Sequence, residues 1–234
     1  MLRRLTLLLA LLLTAGLLAG CGDQHKPDQK SQRELLLGRL TAARAKIDKA
    51  ETVHLTLAAK TLPDGTSGLL SATGSGNHSP AFTGNVKIIT GGATVTAQVV
   101  AVGSEVMAKP SFAPIFLKVD PASLKAPNPA ALFETATGFS QLLVEAKGLK
   151  EGAKSRDGKD VLTTITGHLP GSVVRAILPS ADVASSFPVT YRLTDDNELR
   201  DASITGPFYP KVADVTYDIS VATSSEPVSI TLPK

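Results

Sequence analysis

The 234-residue chain carries 24 Lys and Arg against 21 Asp and Glu, seven Phe, three Tyr, no Trp and a single Cys. One Cys excludes an internal disulfide and a thiolate metal cluster, and the absence of any Lys/Arg run leaves nucleic acid no phosphate-tracking surface. The apolar content is mostly Val, Leu, Ile and Ala, so the fold rests on small and branched side chains, with few large rings to fill its interior.

Arg3 and Arg4 precede an apolar run from Leu5 to Leu18, broken by Thr6 and Thr14. A basic start, an apolar stretch and small residues before a cut make a signal peptide. The run is shorter than the roughly 20 apolar residues a spanning helix needs. Leu18-Ala19-Gly20-Cys21 then sets Cys directly after the small residues, the pattern of a bacterial lipobox. The expected mature chain loses residues 1–20 and begins at Cys21, its thiol carrying diacylglycerol. Two acyl chains anchor stably where one holds only marginally. Without Arg3 and Arg4 the charge balance is +1. The expected place is the cell membrane, lipid-anchored on its outer, periplasmic face.

Residues 21–30 are polar beyond Cys21 and lack periodicity, as a flexible tether does, which puts the folded domain at 31–234. Ser31 and Glu34 have capping-box spacing, predicting a helix start. Leu36, Leu40, Ala43, Ile47 and Ala50 form one apolar stripe at alternating steps of four and three. From Val53 the period changes to two. Val53, Leu55, Leu57 and Ala59 alternate with more polar residues, Pro63-Asp64-Gly65 turns the chain, and a weaker strand follows from Leu69 to Gly76. Val86 and Ile88 pair across Gly91-Gly92 with Val95, Ala97, Val99 and Ala101 as a hairpin. Glu105 to Lys109 and Ile115 to Val119 read as further strands. Connections this short make an antiparallel meander.

Asn128-Pro129 leads to a helical stretch over 138–147, and the turn Asp157-Gly158 opens a hairpin with Val161, Thr163 and Ile165 on its second strand. A short helix is predicted over 172–178, between Pro170-Gly171 and Pro179. Strands through Val189 to Leu193, Leu199 to Ile204 and Val215 to Val221 close the chain. The last has the cleanest alternation.

Catalytic signatures are lacking. His25, His54, His78 and His168 show no i, i+4 pair, so zinc is not expected, and they read as surface or strand residues. Gly74-Ser75-Gly76 lacks the third glycine and the helix of a dinucleotide loop and reads as a turn. No Gly-x-Ser-x-Gly elbow is present, and Asp195, Asp196 and Glu198 fit a solvated turn. The chain is read as a non-enzyme with no cofactor or metal.

Taken in order, lipobox, tether, amphipathic helix, meander, mid-chain helices and final strands resemble the mycobacterial lipoprotein family of LppX, LprA, LprF and LprG. The stretches that carry this are Thr52-Val-His-Leu-Thr-Leu57, Gly84-Asn-Val-Lys-Ile88, Asn128-Pro129 with Gly138 and Leu142-Leu143, and Asp157 to Gly167. The resemblance covers residues 31–222. It implies an α+β single domain: a strongly curved antiparallel sheet, or half-barrel, with helices on its concave side enclosing an apolar cavity. It also implies an acylated lipid or glycolipid as ligand, carried between membranes, with a membrane transporter as a possible partner. Within that picture the candidate cavity wall is Leu55, Leu57, Val86, Ile88, Val95 and Val99 from the sheet, with Leu142, Leu143, Val173, Val174 and Ile177 from the helices. One departure is Met107, which stands where the resemblance leads one to expect an aromatic and is expected to reshape that wall. The alternative reading is a structural or interaction lipoprotein with a solid core.

Overall fold

The computed structural model describes residues 29–124 and 126–234, so Cys21 and the signal segment lie outside it. Helix α1 runs from Gln29 to Lys49 and buries Leu36, Leu40, Ala43 and Ile47, the stripe its 3.6-residue period predicts. Each large aliphatic side chain so buried is worth about 1.5–3 kcal/mol. The start differs from expectation. The helix is already formed at Gln29, so Ser31 lies inside it rather than at its N-cap. Gln29 and Lys30 are good helix formers, which suits this earlier start.

Eleven strands follow. The first six are β1 (Thr52–Ala59), β2 (Gly68–Asn77), β3 (Ala81–Thr90), β4 (Ala93–Val102), β5 (Glu105–Pro110) and β6 (Leu117–Lys118). The remaining five are β7 (Lys147–Asp157), β8 (Asp160–Pro170), β9 (Ser186–Thr194), β10 (Leu199–Gly206) and β11 (Val215–Ser224). All pair antiparallel in one sheet of order β6-β5-β4-β3-β2-β1-β11-β10-β9-β8-β7. Two meanders are thus joined by β1 and β11, in register from Thr52↔Ser224 to Ala59↔Tyr217. The sheet is curved and open, as the resemblance implies.

Between β6 and β7, at opposite edges, runs a segment with much less helix than the sequence suggests. It holds single 3-10 turns at Ala122–Leu124 and Ala131–Phe133 and one α-turn, α2, at Gln141–Val144. Residue 147 already belongs to β7, and Gly148 has φ +63, a left-handed conformation that breaks a helix. The expected strand Ile115–Val119 shrinks to the two residues of β6 after Pro114. Helix α3 occupies Gly171–Ile177.

Gly74 and Gly76 lie in β2, in keeping with the strand reading of Leu69 to Gly76 and against the turn reading of Gly74-Ser75-Gly76. A side chain on Gly74 would meet the Phe82 ring at 2.6 Å, and one on Gly76 would meet the Phe133 ring at 2.5 Å. These glycines leave a shallow lane in the sheet in which the two rings lie, stacked with centroids 5.9 Å apart.

Alternating strand direction sorts the connections to two ends. One end carries the short turns at 78–80, 103–104, 158–159 and 195–198. The other carries the turn at Gly91-Gly92, the loop at 111–116, α3 with its following loop, and the β10–β11 loop. Helix α1 is tied to the first end. Arg39 donates from Nη2 to Thr194 O at 2.8 Å and from Nε to Asn197 Oδ1 at 2.6 Å, and Lys46 reaches Glu198 at 3.3 Å. The acidic turn therefore holds α1 in place. His78, read as a surface or strand residue, is part-buried in the β2–β3 turn, with Nδ1 2.7 Å from Phe133 O and Nε2 2.9 Å from Ile47 O. Both ring nitrogens thus face backbone carbonyls, and the ring bridges the end of α1 to the β6–β7 segment.

Candidate functional site

With α1 fastened at the first end, the principal cleft lies between the β6–β7 segment and the loops of the second end. Its volume is about 1210 Å³. One wall is the stretch from Asp120 to Thr137, in which Ala122, Ala126, Ala131 and Leu132 present small apolar surfaces. The facing wall is Arg175 to Asp182, including Ile177 and Pro179, with Pro207 and Tyr209 to Val212 of the β10–β11 loop. Small-molecule sites commonly enclose about 300–1,000 Å³, so this space exceeds what one compact ligand requires.

The walls are fixed by hydrogen bonds of definite direction. Asn128 donates from Nδ2 to Gly103 O at 2.7 Å, and its Oδ1 accepts from the Ala130 N–H at 3.0 Å, which pins the Asp120–Thr137 wall to the β4–β5 turn. Across the cleft, Tyr217 Oη donates to Leu69 O at 2.6 Å, accepts from Tyr209 Oη at 2.6 Å, and the Leu69 N–H donates back to Tyr209 Oη at 3.0 Å. That closed cycle fastens the β10–β11 loop to β2. Gly68 makes it possible, because a Cβ there would stand 2.5 Å from the Tyr209 ring. Burial, and then the neighbouring Tyr209, push the Tyr217 hydroxyl far above its ordinary range, so it remains a neutral donor.

Four charges lie along the cleft: Arg175, Lys211, Asp120 and Asp182. The Asp182 carboxylate accepts from Ser185 Oγ at 2.7 Å and from the Ala184 N–H at 3.0 Å, and these bonds hold its pKa below the usual 3.8. A lowered carboxylate pKa contributes order that is complete above the unfolded value and is lost as pH falls through the folded one. Acid titration is therefore expected to release the 182–185 turn only below about pH 3.8, read from the chemical shift of the Ala184 amide. A midpoint at or above the ordinary aspartate value would show that the turn does not hold this carboxylate.

The sequence-predicted wall residues divide into groups. Leu55, Val99, Leu142, Leu143 and Val174 are buried in the main core, and Leu57, Val86, Val173 and Ile177 pack on it half-buried. Ile88 and Val95, opposite each other in register, are half-exposed outside it. Ile177 lines the 1210 Å³ cleft and the other ten do not. Cross-strand register nevertheless puts Leu57, Ala72, Val86 and Ala97 on one face, the face that also bears Leu55, Val99, Ile88 and Val95. Met107 pairs with Val100 on the opposite face and is not among the cleft residues. The cleft walls escaped sequence reading because they are loops: Pro121, Pro127, Pro179, Pro207 and Pro210 interrupt any period, and proline density was the one available signal. Among the described residues no three His, Cys, Asp or Glu side chains gather to hold a metal ion.

An open antiparallel half-barrel, fastened by a helix at one end and carrying a large cleft lined by loops, defines the architectural class. The solved structure of LprF from Mycobacterium bovis has this fold, with a TM-score of 0.66 and 15% identity over 86% of this chain and 97% of that one. Lipoprotein LppX from Mycobacterium tuberculosis gives a TM-score of 0.60 and 18% identity over 85% of this chain and 99% of that one. No curated protein sequence matches the chain. The LppX_LprAFG lipoprotein family model matches residues 36–230, and the chain belongs to that family.

Proposed function

We propose that this lipoprotein takes the acyl chains of a lipid or glycolipid into its cleft and carries them between membranes of the cell envelope, with Cys21 acylated as its anchor on the outer face. The observation that carries the reading is the cleft itself, whose roughly 1210 Å³ suits long chains rather than a compact metabolite. Moving one chain of roughly 16 carbons through water exposes apolar surface worth on the order of 13 kcal/mol, so a carrier must enclose it. In this reading Ile177 and the 120–137 wall enclose one chain, while the half-exposed Leu57, Val86, Ile88 and Val95 offer a second chain an apolar trough. The buried Leu55, Val99, Leu142, Leu143 and Val174 support that trough from within, and Val173 packs beside them. Polar groups at the cleft then select the headgroup, and a membrane transporter is the partner that loads or unloads the carrier.

Native mass spectrometry of the protein purified from a lipid-rich bacterial host tests this. A bound mass of an acylated lipid, displaced by a fluorescent fatty acyl probe, is the expected result. A chain that is empty as purified and takes up no probe would refute the proposal.

Anchor and carrier are separate in this reading. A Cys21→Ala variant is expected to keep its circular dichroism spectrum and its probe affinity while leaving the membrane fraction, because residues 21–28 precede α1 and its core contacts. A folded Cys21→Ala protein that had lost probe binding would place the acyl anchor within the site.

A further inference from the structure

The loop between β5 and β6 reads Ser111-Phe-Ala-Pro-Ile-Phe-Leu117, and its apolar side chains are displayed rather than buried. Phe112 is 78% exposed, Ile115 62% and Leu117 46%, with Leu124 57% exposed on the stretch that follows. On a folded surface an isolated apolar residue is ordinary, but several on one loop mark an interaction site. The loop is held in shape: the Ser111 N–H donates to Thr96 O at 2.9 Å, and the Ala113 N–H donates to Pro110 O at 3.0 Å.

We infer that this loop inserts into the surface of a lipid bilayer and sets the domain on the membrane with its cleft toward the lipid. Three observations select a bilayer as the occupant. First, the tip from Phe112 to Leu117 carries no charged residue, and of the two lysines at its base Lys118 is paired with Glu105 at 2.7 Å, so the loop presents itself chiefly through its apolar side chains. Second, the cleft walls after α3 and in the β10–β11 loop lie at the same end of the sheet as this loop, while β6 carries the chain back along β5 to the Asp120–Asn128 wall beside the β4–β5 turn. Val183, 51% exposed, adds an apolar tip after α3, at the loop's end of the sheet. Third, the short turns of the far end, at 78–80, 103–104, 158–159 and 195–198, carry none of the exposed large apolar side chains, and charges at that end are paired, Asp157 and Asp160 with Arg200 and Glu198 with Lys46. A tether on Cys21 would limit distance from the bilayer but not orientation. Eight residues span at most about 28 Å, so an anchor at Cys21 keeps the domain close to the bilayer. The inference rests on the carrier reading and adds where the carrier loads.

The test uses the full chain produced in a host that acylates Cys21. Its one native Cys is then blocked, so Phe112→Cys supplies one free thiol for an environment-sensitive fluorophore, and Asp196→Cys labels the opposite end. In vesicles of phosphatidylcholine with phosphatidylglycerol, the probe at 112 is expected to shift to the blue and to be quenched by lipids spin-labelled near the headgroup, while the probe at 196 is not. Phe112→Asp with Ile115→Asp is expected to slow transfer of a pyrene-labelled lipid between vesicles by roughly tenfold or more, because both side chains lose their apolar burial, with equilibrium uptake of a soluble acyl probe unchanged. A probe at 112 that remains in water on vesicles, or transfer that is unaffected by the double variant, overturns the docking inference even if lipid is carried. A protein attached through the loop to a partner protein instead of lipid would give that same water-exposed signal. Quenching at 112 by a chain that takes up no lipid would leave the docking intact and overturn the carrier reading.

Discussion

Phe133→Ala is expected to lower the unfolding free energy by about 3–5 kcal/mol, the usual cost of deleting a buried aromatic ring. Few side chains here combine so many constraints. The residue is 1% exposed, stacks on Phe82, meets Phe139 edge-on at 5.9 Å and lies over Gly76, while its carbonyl faces the His78 ring. It ties the segment bridging the sheet edges to the sheet itself. In a domain of this size each kcal/mol moves the melting temperature by about 2–4 °C, so a fall of at least several degrees is expected. Urea denaturation with an unchanged slope measures it. Gly76→Val approaches the same contact from the sheet side, because its Cβ would occupy the ring's place. If Phe133→Ala cost less than about 1 kcal/mol, the ring would not be a core group.

Filling the cleft is the corresponding test of binding. Ala122 and Ala176 both line it and both are exposed, so replacing them with Trp adds bulk there without pressing on the core. Displacing about four methylenes of a bound chain forfeits about 3 kcal/mol, a factor of about 200 in affinity. Ala122→Trp with Ala176→Trp is therefore expected to abolish measurable uptake of a fluorescent acyl probe while leaving the melting temperature within a degree or two. Ile88→Trp, on the half-exposed face of the sheet, separates cleft from trough: it reduces uptake only if a chain lies along that face. Val99→Trp is less informative, since Val99 is 6% exposed and a larger ring would strain the fold itself. Unaltered uptake in a folded Ala122/Ala176 double variant would move the ligand out of this cleft.

What the sequence disclosed, and what it hid, follows from periodicity. The stripe Leu36, Leu40, Ala43 and Ile47 and the alternation Val215, Tyr217, Val221 were legible because each element buries one face. The single antiparallel sheet follows from those alternations and the short turns between them. Where burial is two-sided or absent the signal fails. Gly74 and Gly76 read both as the end of a weak strand and as a turn, because a strand position that receives a ring from a neighbour has no apolar side chain of its own. The apolar run from Ile115 to Leu117 looked like a strand interior, although most of it faces outward. Leu142 and Leu143 have the spacing of a longer helix, but their burial is achieved within one turn before the chain extends into β7. Most cleft residues lie in loops shaped by proline and by bonds such as Asn128 to Gly103, which no local pattern announces.

The pairing of β1 with β11 also bears on how the molecule comes into being. Thr52 and Ser224 are neighbours in space yet stand at nearly opposite ends of the chain, and contacts of such sequence separation are the slow ones in folding. As the chain is synthesised in amino-to-carboxyl order, the first meander emerges with β1 as an unpaired edge that only the last strand can cover. Unpaired edges of this kind are open to association with other chains. Until β11 arrives, the Tyr217 that holds the β10–β11 loop against Leu69 is missing too, so one cleft wall and the seam of the sheet are completed in a single late event.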